Sequence, residues 1–131
     1  MEKRALADLL KDLPNLQLSG GMPDERAFEA MRMLGRFNDD YVGMVRFSGE
    51  SPWERYETDE LLYIVEGVVR VVIVEADGGQ REQELSAGEL CIVPKGLWHK
   101  QFADPSAAQL FVTGETRHST ADDPRLDPAQ P

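Results

Sequence analysis

Two stretches of the chain concentrate the side chains that can do chemistry. The first, Trp53 to Gly67, holds the carboxylates Glu54, Glu57, Asp59, Glu60 and Glu66 together with the phenol of Tyr56. The second, Gly88 to His99, ends on one of only two histidines in the chain, the other being His118. Carboxylates, a phenol and an imidazole are the groups of general acid–base catalysis and of metal ligation. With only His99 and His118 present, no site of three imidazoles can be assembled. Residues two apart on a strand share a face, so Glu54 and Tyr56 point one way and Trp53 and Arg55 the other.

The elements that must position these groups read as short strands. Leu61 to Val65 is an apolar run stopped by Glu66-Gly67, and Val68 to Glu75 is rich in β-branched residues. Asp77-Gly78-Gly79 is a hairpin turn, Arg81 to Leu85 returns, and Ala87-Gly88 turns again. Leu90 to Val93, Trp98 to Phe102 and Gln109 to Thr113 complete the series, with Pro94-Lys95-Gly96 as a turn. Upstream, Met33 to Phe37 and Tyr41 to Phe47 flank Asn38-Asp39-Asp40 as a hairpin, broken at Ser48 to Pro52. Ala27 to Met33 fits helix or strand equally. Asn15 to Asp24, with Gly20-Gly21 and Pro23, reads as a loop. Leu6, Leu9, Leu10 and Leu13 form one apolar helical face limited by Pro14. Such a short helix needs a surface to cover, either the barrel or a partner subunit. Closely spaced strands and turns of this kind make a sandwich or barrel.

Read together, the two chemistry-bearing stretches resemble the paired motifs of the cupin family. The first cupin motif reads His-x-His, then a glutamate, then a glycine; the second runs from a glycine to Pro-x-Gly-x-x-His. Glu60 and Gly67 fit the glutamate and glycine of the first motif, and Gly88, Pro94, Gly96 and His99 fit the second in full. Glu54 and Tyr56 stand where the family has its two first-motif histidines. The resemblance extends from Met33 to about Thr113. It implies an all-β double-stranded β-helix, a cupin or jelly-roll-like barrel, here with a short N-terminal helix. The expected organisation is an N-terminal helix and loop over 1–24, the barrel over 25–115, and a flexible tail over 116–131.

In cupins the motif side chains converge inside the barrel, so the resemblance implies a pocket of Glu54, Tyr56, Glu60 and His99. A neutral phenol is a poor metal ligand near neutral pH, because free tyrosine ionises at about 10. No metal and no other cofactor is therefore expected. The fallback is a divalent first-row metal ion on Glu54, Glu60 and His99, with the Tyr56 phenolate as a ligand to ferric iron. Without a metal, Glu60 pairs with His99, while Glu54 is hydrogen-bonded to Tyr56 and is the more variably protonated carboxyl.

Three functions compete, and the sequence leaves open whether the chain is an enzyme. The first is a small-molecule-binding cupin with a degenerate, metal-free site. The second is a metal-independent isomerase, epimerase or lyase using Glu, Tyr and His for acid–base catalysis. The third is a metal-dependent dioxygenase. Each residue also has a plainer reading. Glu60 caps the polar end of the barrel, and Tyr56 packs its ring. Trp53 and Trp98 pack on the outer sheet or at a subunit interface. His118 lies on the surface beyond the last clear strand, and Lys95 is a solvated turn charge. Cys91, in an apolar run, is a small buried hydrophobe.

Composition narrows the partners. The 131 residues suit one domain, and 41% hydrophobic content is enough for a core. A formal charge of −10 opposes binding to nucleic acid or to anionic membranes. No secretory signal or membrane-spanning stretch is evident, so a cytoplasmic location is expected. The expected partners are a small-molecule ligand and a second copy of the chain. The homodimer would cover an apolar outer face bearing Val69 and Val71.

Overall fold

The computed structural model describes residues 1–18 and 29–127. The glycine-rich loop expected around Gly20-Gly21 and Pro23, the boundary between 24 and 25, and the last four residues of the tail lie outside that range, as does part of the ambiguous stretch from Ala27.

The described chain is mostly strand. Helix α1 (Leu6–Lys11) is followed by β1 (Asn15–Gln17), β2 (Arg32–Phe37), β3 (Asp40–Glu50), β4 (Trp53–Tyr56), β5 (Glu60–Glu66) and β6 (Val68–Val74). Then come β7 (Gln80–Ser86), β8 (Leu90–Val93), β9 (His99–Thr113), β10 (Thr116–Ser119) and a 3-10 turn at Pro124–Leu126. No helix of the described residues is long and apolar enough to cross a membrane.

Strand β9 is the hub, and it serves two layers. Its C-terminal half pairs with β3 on one side and β5 on the other, β5 carrying β8 beyond it. Its N-terminal half pairs with β6, which carries β7, and meets β4 where Glu54 lies opposite His99. The arrangement is an all-β jelly-roll barrel. Leu62, Ile64, Val45, Phe47 and Phe111 of the first layer pack against Val69, Val71, Ile73 and Ala103 of the second. Fully burying an aliphatic side chain of this size contributes about 1.5–3 kcal/mol. Helix α1 lies over the outside of the first layer, where Leu9 and Leu13 pack on the fully buried Met44. The covering role expected of that helix is filled by this chain's own barrel.

Glycine has a defined task at one cupin-type position. Gly67 turns β5 into β6 at φ +83°, and a Cβ there would lie 2.5 Å from the carbonyl oxygen of Ser106. Both the left-handed backbone and the close approach demand glycine.

Several expectations need correction. Val69 and Val71 are 0% and 1% exposed and form part of the inner core, so they cannot build an apolar outer face. In β6 the outward residues are Val68, Arg70, Val72 and Val74, and the last two pack with Trp53 and Trp98. Asn15 to Gln17 is a strand, parallel to Arg46–Ser48, because Leu16 enters the core and its backbone pairs with a distant segment. The strands expected at Trp98 to Phe102 and Gln109 to Thr113 are the two ends of the single β9. The barrel does not end at 115: Thr116–Ser119 pairs antiparallel with β4, and Pro124 is buried. The tail expected from Thr116 therefore holds ordered structure through the described residues.

Candidate functional site

The four side chains implied by the motifs come together at one end of the barrel, across both layers. Glu60 opens β5 in the first layer; His99 opens β9 and Glu54 and Tyr56 lie on β4 in the second. His99 is 0% exposed and Glu60 2%. His99 Nε2 lies 2.9 Å from Glu60 Oε1, and Nδ1 is 3.3 Å from the carbonyl of Leu97. The Tyr56 hydroxyl donates to Glu54 Oε2 at 2.6 Å. The Tyr56 and His99 rings sit 5.5 Å apart between centroids. The pairings Glu60–His99 and Tyr56–Glu54 are those the residue types favour.

Electrostatics follow from burial and crowding. Glu54 is held above the ordinary carboxyl value by burial first and the neighbouring Glu60 charge second, with His99 and Tyr56 opposing. Burial alone would lower His99, but the hydrogen bond and charge of Glu60 and the charge of Glu54 outweigh it, so the imidazole is raised. Tyr56 is pushed well above the usual phenol value by burial and then by Glu54, so it stays a neutral donor. Cys91 is raised by burial and by Glu60, in keeping with an unreactive thiol.

These shifts set a pH dependence. Both Glu54 and His99 bind a proton more tightly in the folded state than in the unfolded one. The Glu54 contribution is complete below its ordinary value of 4.5 and is lost as the pH rises through the higher folded value. The His99 contribution is complete below 6.5 and fades similarly at higher pH. Urea midpoints of the native chain are expected to fall relative to those of Glu54→Gln as the pH climbs. A difference that stays flat from about pH 4 to 8 contradicts the raised Glu54.

His118 borders the site, and two buried glutamines share the inner face of β9 with His99. His118 lies opposite Glu54 in the β10–β4 pairing, with Nε2 3.9 Å from Glu54 Oε2. It is exposed, as expected, but stands on a strand beside the pocket rather than beyond the fold. Gln101 and Gln109, each 4% exposed, alternate inward from β9 opposite the core residues Val71 and Val45. Their side-chain oxygens are buried and accept no hydrogen bond from the described residues. Alternation from His99 signals Gln101. His118 and Gln109 need the pairing of β10 and the path of β9.

Trp53 and Trp98 point away from these groups, as alternation requires. Both are 4% exposed in a cluster with Val72 and Val74 on the outer face of the second layer. Lys100 lies over the Trp53 ring and Arg55 over the Trp98 ring. Among the described residues, no three His, Cys, Asp or Glu side chains are arranged to hold a metal ion.

A jelly-roll barrel with a set of inward polar side chains at one end defines a class of β-barrel whose chemistry sits inside the fold. The family model described as Cupin matches residues 54–125, more than half of the chain. The chain belongs to the cupin family. Solved structures agree on the fold. A cupin-2 domain protein from Shewanella frigidimarina is 24% identical over 86% of this chain and 94% of its own, with a TM-score of 0.64. A hydroquinone 1,2-dioxygenase from Sphingomonas, bound to 4-hydroxybenzoate, is 19% identical over 65% of this chain and 66% of its own, at 0.56. An oxalate decarboxylase from Bacillus subtilis is 22% identical, at 0.57, over 62% of this chain but 24% of its own. No curated protein matches the chain by sequence.

Proposed function

We propose that this cupin binds a small, hydrogen-bond-donating molecule inside the barrel, at a degenerate site that works without a metal. The observation carrying this reading is the pair of orphaned acceptors. The side-chain oxygens of Gln101 and Gln109 sit buried on the inner face of the strand that bears His99. Leaving a buried acceptor unmet costs about 1–3 kcal/mol, so an interior that holds two is suited to a guest that donates to them. Apolar walls with a few converging polar groups are the usual composition of small-molecule sites.

The donor set supports the metal-free part. His99 is the one imidazole at the motif positions where the family has three, and its Nε2 is already bonded to Glu60. Glu54 is engaged by a phenol that stays protonated. Carboxylates and neutral phenol in this pairing do not fit the family's imidazole-rich centre.

Elemental analysis and native mass spectrometry of untagged protein test the reading together. The expected result is substoichiometric first-row metal and a co-purified organic mass that Gln101→Leu reduces. One metal ion per chain, lost on Glu60→Gln, overturns it.

The raised carboxyl of Glu54 favours a second reading, metal-independent acid–base catalysis of an isomerase, epimerase or lyase type. A carboxyl that burial and a neighbouring carboxylate make hold its proton more tightly than usual, beside an imidazole that is likewise raised, has the equipment for proton transfer. Turnover in chelator-treated protein that Glu54→Gln abolishes would establish it.

A further inference from the structure

The outer wall of β4 carries a feature that meets the interior site only at Tyr56. A cavity of about 270 Å³ is bordered by Arg55, Glu75, Leu97, Trp98, Pro124 and Arg125, among others. An open groove of about 630 Å³ is bordered by Arg55, Tyr56, Glu57, Lys95, Gly96 and Arg117. Arg55 and Gly96 belong to both, so the two adjoin. Glu54, Glu60 and His99 border neither. Strand β4 turns Glu54 inward and Arg55 outward over Trp98, while Tyr56 borders the groove as well as donating to Glu54.

The charges here run against the rest of the molecule. The groove gathers Arg55, Lys95 and Arg117 around the single acid Glu57, in a chain of net charge −10. Glu57 lies 3.7 Å from Arg117, and Arg125 is held by Asp123 at 2.8 Å. Among the described residues, no carboxylate pairs with Arg55 or Lys95. The Arg55 guanidinium lies 4.8 Å from the centroid of the Trp98 ring, and that ring is itself buried. A guanidinium laid on a fixed aromatic plane has little freedom to lose, and its fork of N–H donors matches the two oxygens of an oxyanion.

We propose that this recess is a second binding site, specific for a small organic anion: a carboxylate or phosphate monoester on a short apolar body. Arg55 and Lys95 grip the oxyanion. Leu97 and Ala76 receive the apolar part, above the buried Trp98 and Pro124. An anion relieves the like-charge crowding of the cations, whereas a neutral analogue of the same shape gains nothing from them. Because the groove is open, binding weakens as salt rises.

Titration of the full chain with butyrate, butyl phosphate and butyramide tests this, with the Trp98 indole N–H and the His99 imidazole followed by NMR. At least one anion is expected to shift Trp98 while His99 stays still, and butyramide is expected to do neither. Comparison of the two anions separates carboxylate from phosphate. Arg55→Gln is expected to weaken binding about tenfold or more, as loss of a charge-assisted hydrogen bond does. Lys95→Gln, an exposed turn substitution that spares the Trp98 platform, is expected to weaken it severalfold. Four results each overturn the site: no anion binds, butyramide binds equally well, affinity survives both substitutions, or His99 shifts in place of Trp98. The last would assign the anion to the interior pocket, and a failure of that pocket leaves the Trp98 response unchanged.

Discussion

Replacing Glu60 by alanine is expected to destabilise the barrel by about 3–5 kcal/mol, the cost of stripping one partner from a buried ion pair. His99 has no exposure, and Glu60 is its partner at Nε2. The Glu60–His99 contact also ties the first layer to the second, so its loss acts on both. Glu60→Gln keeps a hydrogen-bonding side chain and is expected to cost less. In that variant the His99 pKa should fall, because burial then acts with less opposition. Chemical denaturation measures the first effect and NMR titration of the imidazole the second. A His99 titration unmoved by Glu60→Gln would refute the pairing. The double variant Glu60→Leu with His99→Leu is expected to lose less stability than Glu60→Ala, since no charge is left buried and alone.

Trp98→Ala is expected to cost about 3–5 kcal/mol, as is typical for a large aromatic removed from a packed cluster. The ring packs with Trp53, Val72 and Val74, and its backbone carbonyl accepts a hydrogen bond from Val74. The same substitution removes the plane under Arg55, so anion binding at the outer groove should weaken as well. Trp98→Phe keeps part of the plane and the packing and should fall between. Urea unfolding checks the stability change. A loss below about 1 kcal/mol would place Trp98 among surface residues, contrary to its burial.

Much of the chemistry was legible before any coordinates. The two motif-like stretches identified Glu54, Tyr56, Glu60 and His99, and all four meet. Strand alternation set Trp53 and Arg55 on the opposite face from Glu54, and the hairpin at Asn38-Asp39 is present. The failures have a common form. Val69 and Val71 face inward with Ile73, opposite to Arg70; the unbroken apolar stretch Val71 to Val74 hides that parity along the chain. The β10 strand was read as tail because four polar residues carry no periodic signal; β4 supplies the partner.

The sequence by itself determined the residue inventory: two histidines, a carboxylate-rich first motif without imidazole, and enough β-branched strand to make a barrel. Those are matters of side-chain type and spacing along the chain, and they are local. Only the tertiary structure decided which groups share an interior. It placed His118 opposite Glu54, turned Gln101 and Gln109 inward with side-chain oxygens that meet no donor among the described residues, and set Arg55 over Trp98 beside Lys95. Each of these depends on pairing between strands far apart in the chain. Hydrogen-bonded register across a sheet, unlike periodicity along a strand, is fixed only when both partners are in place.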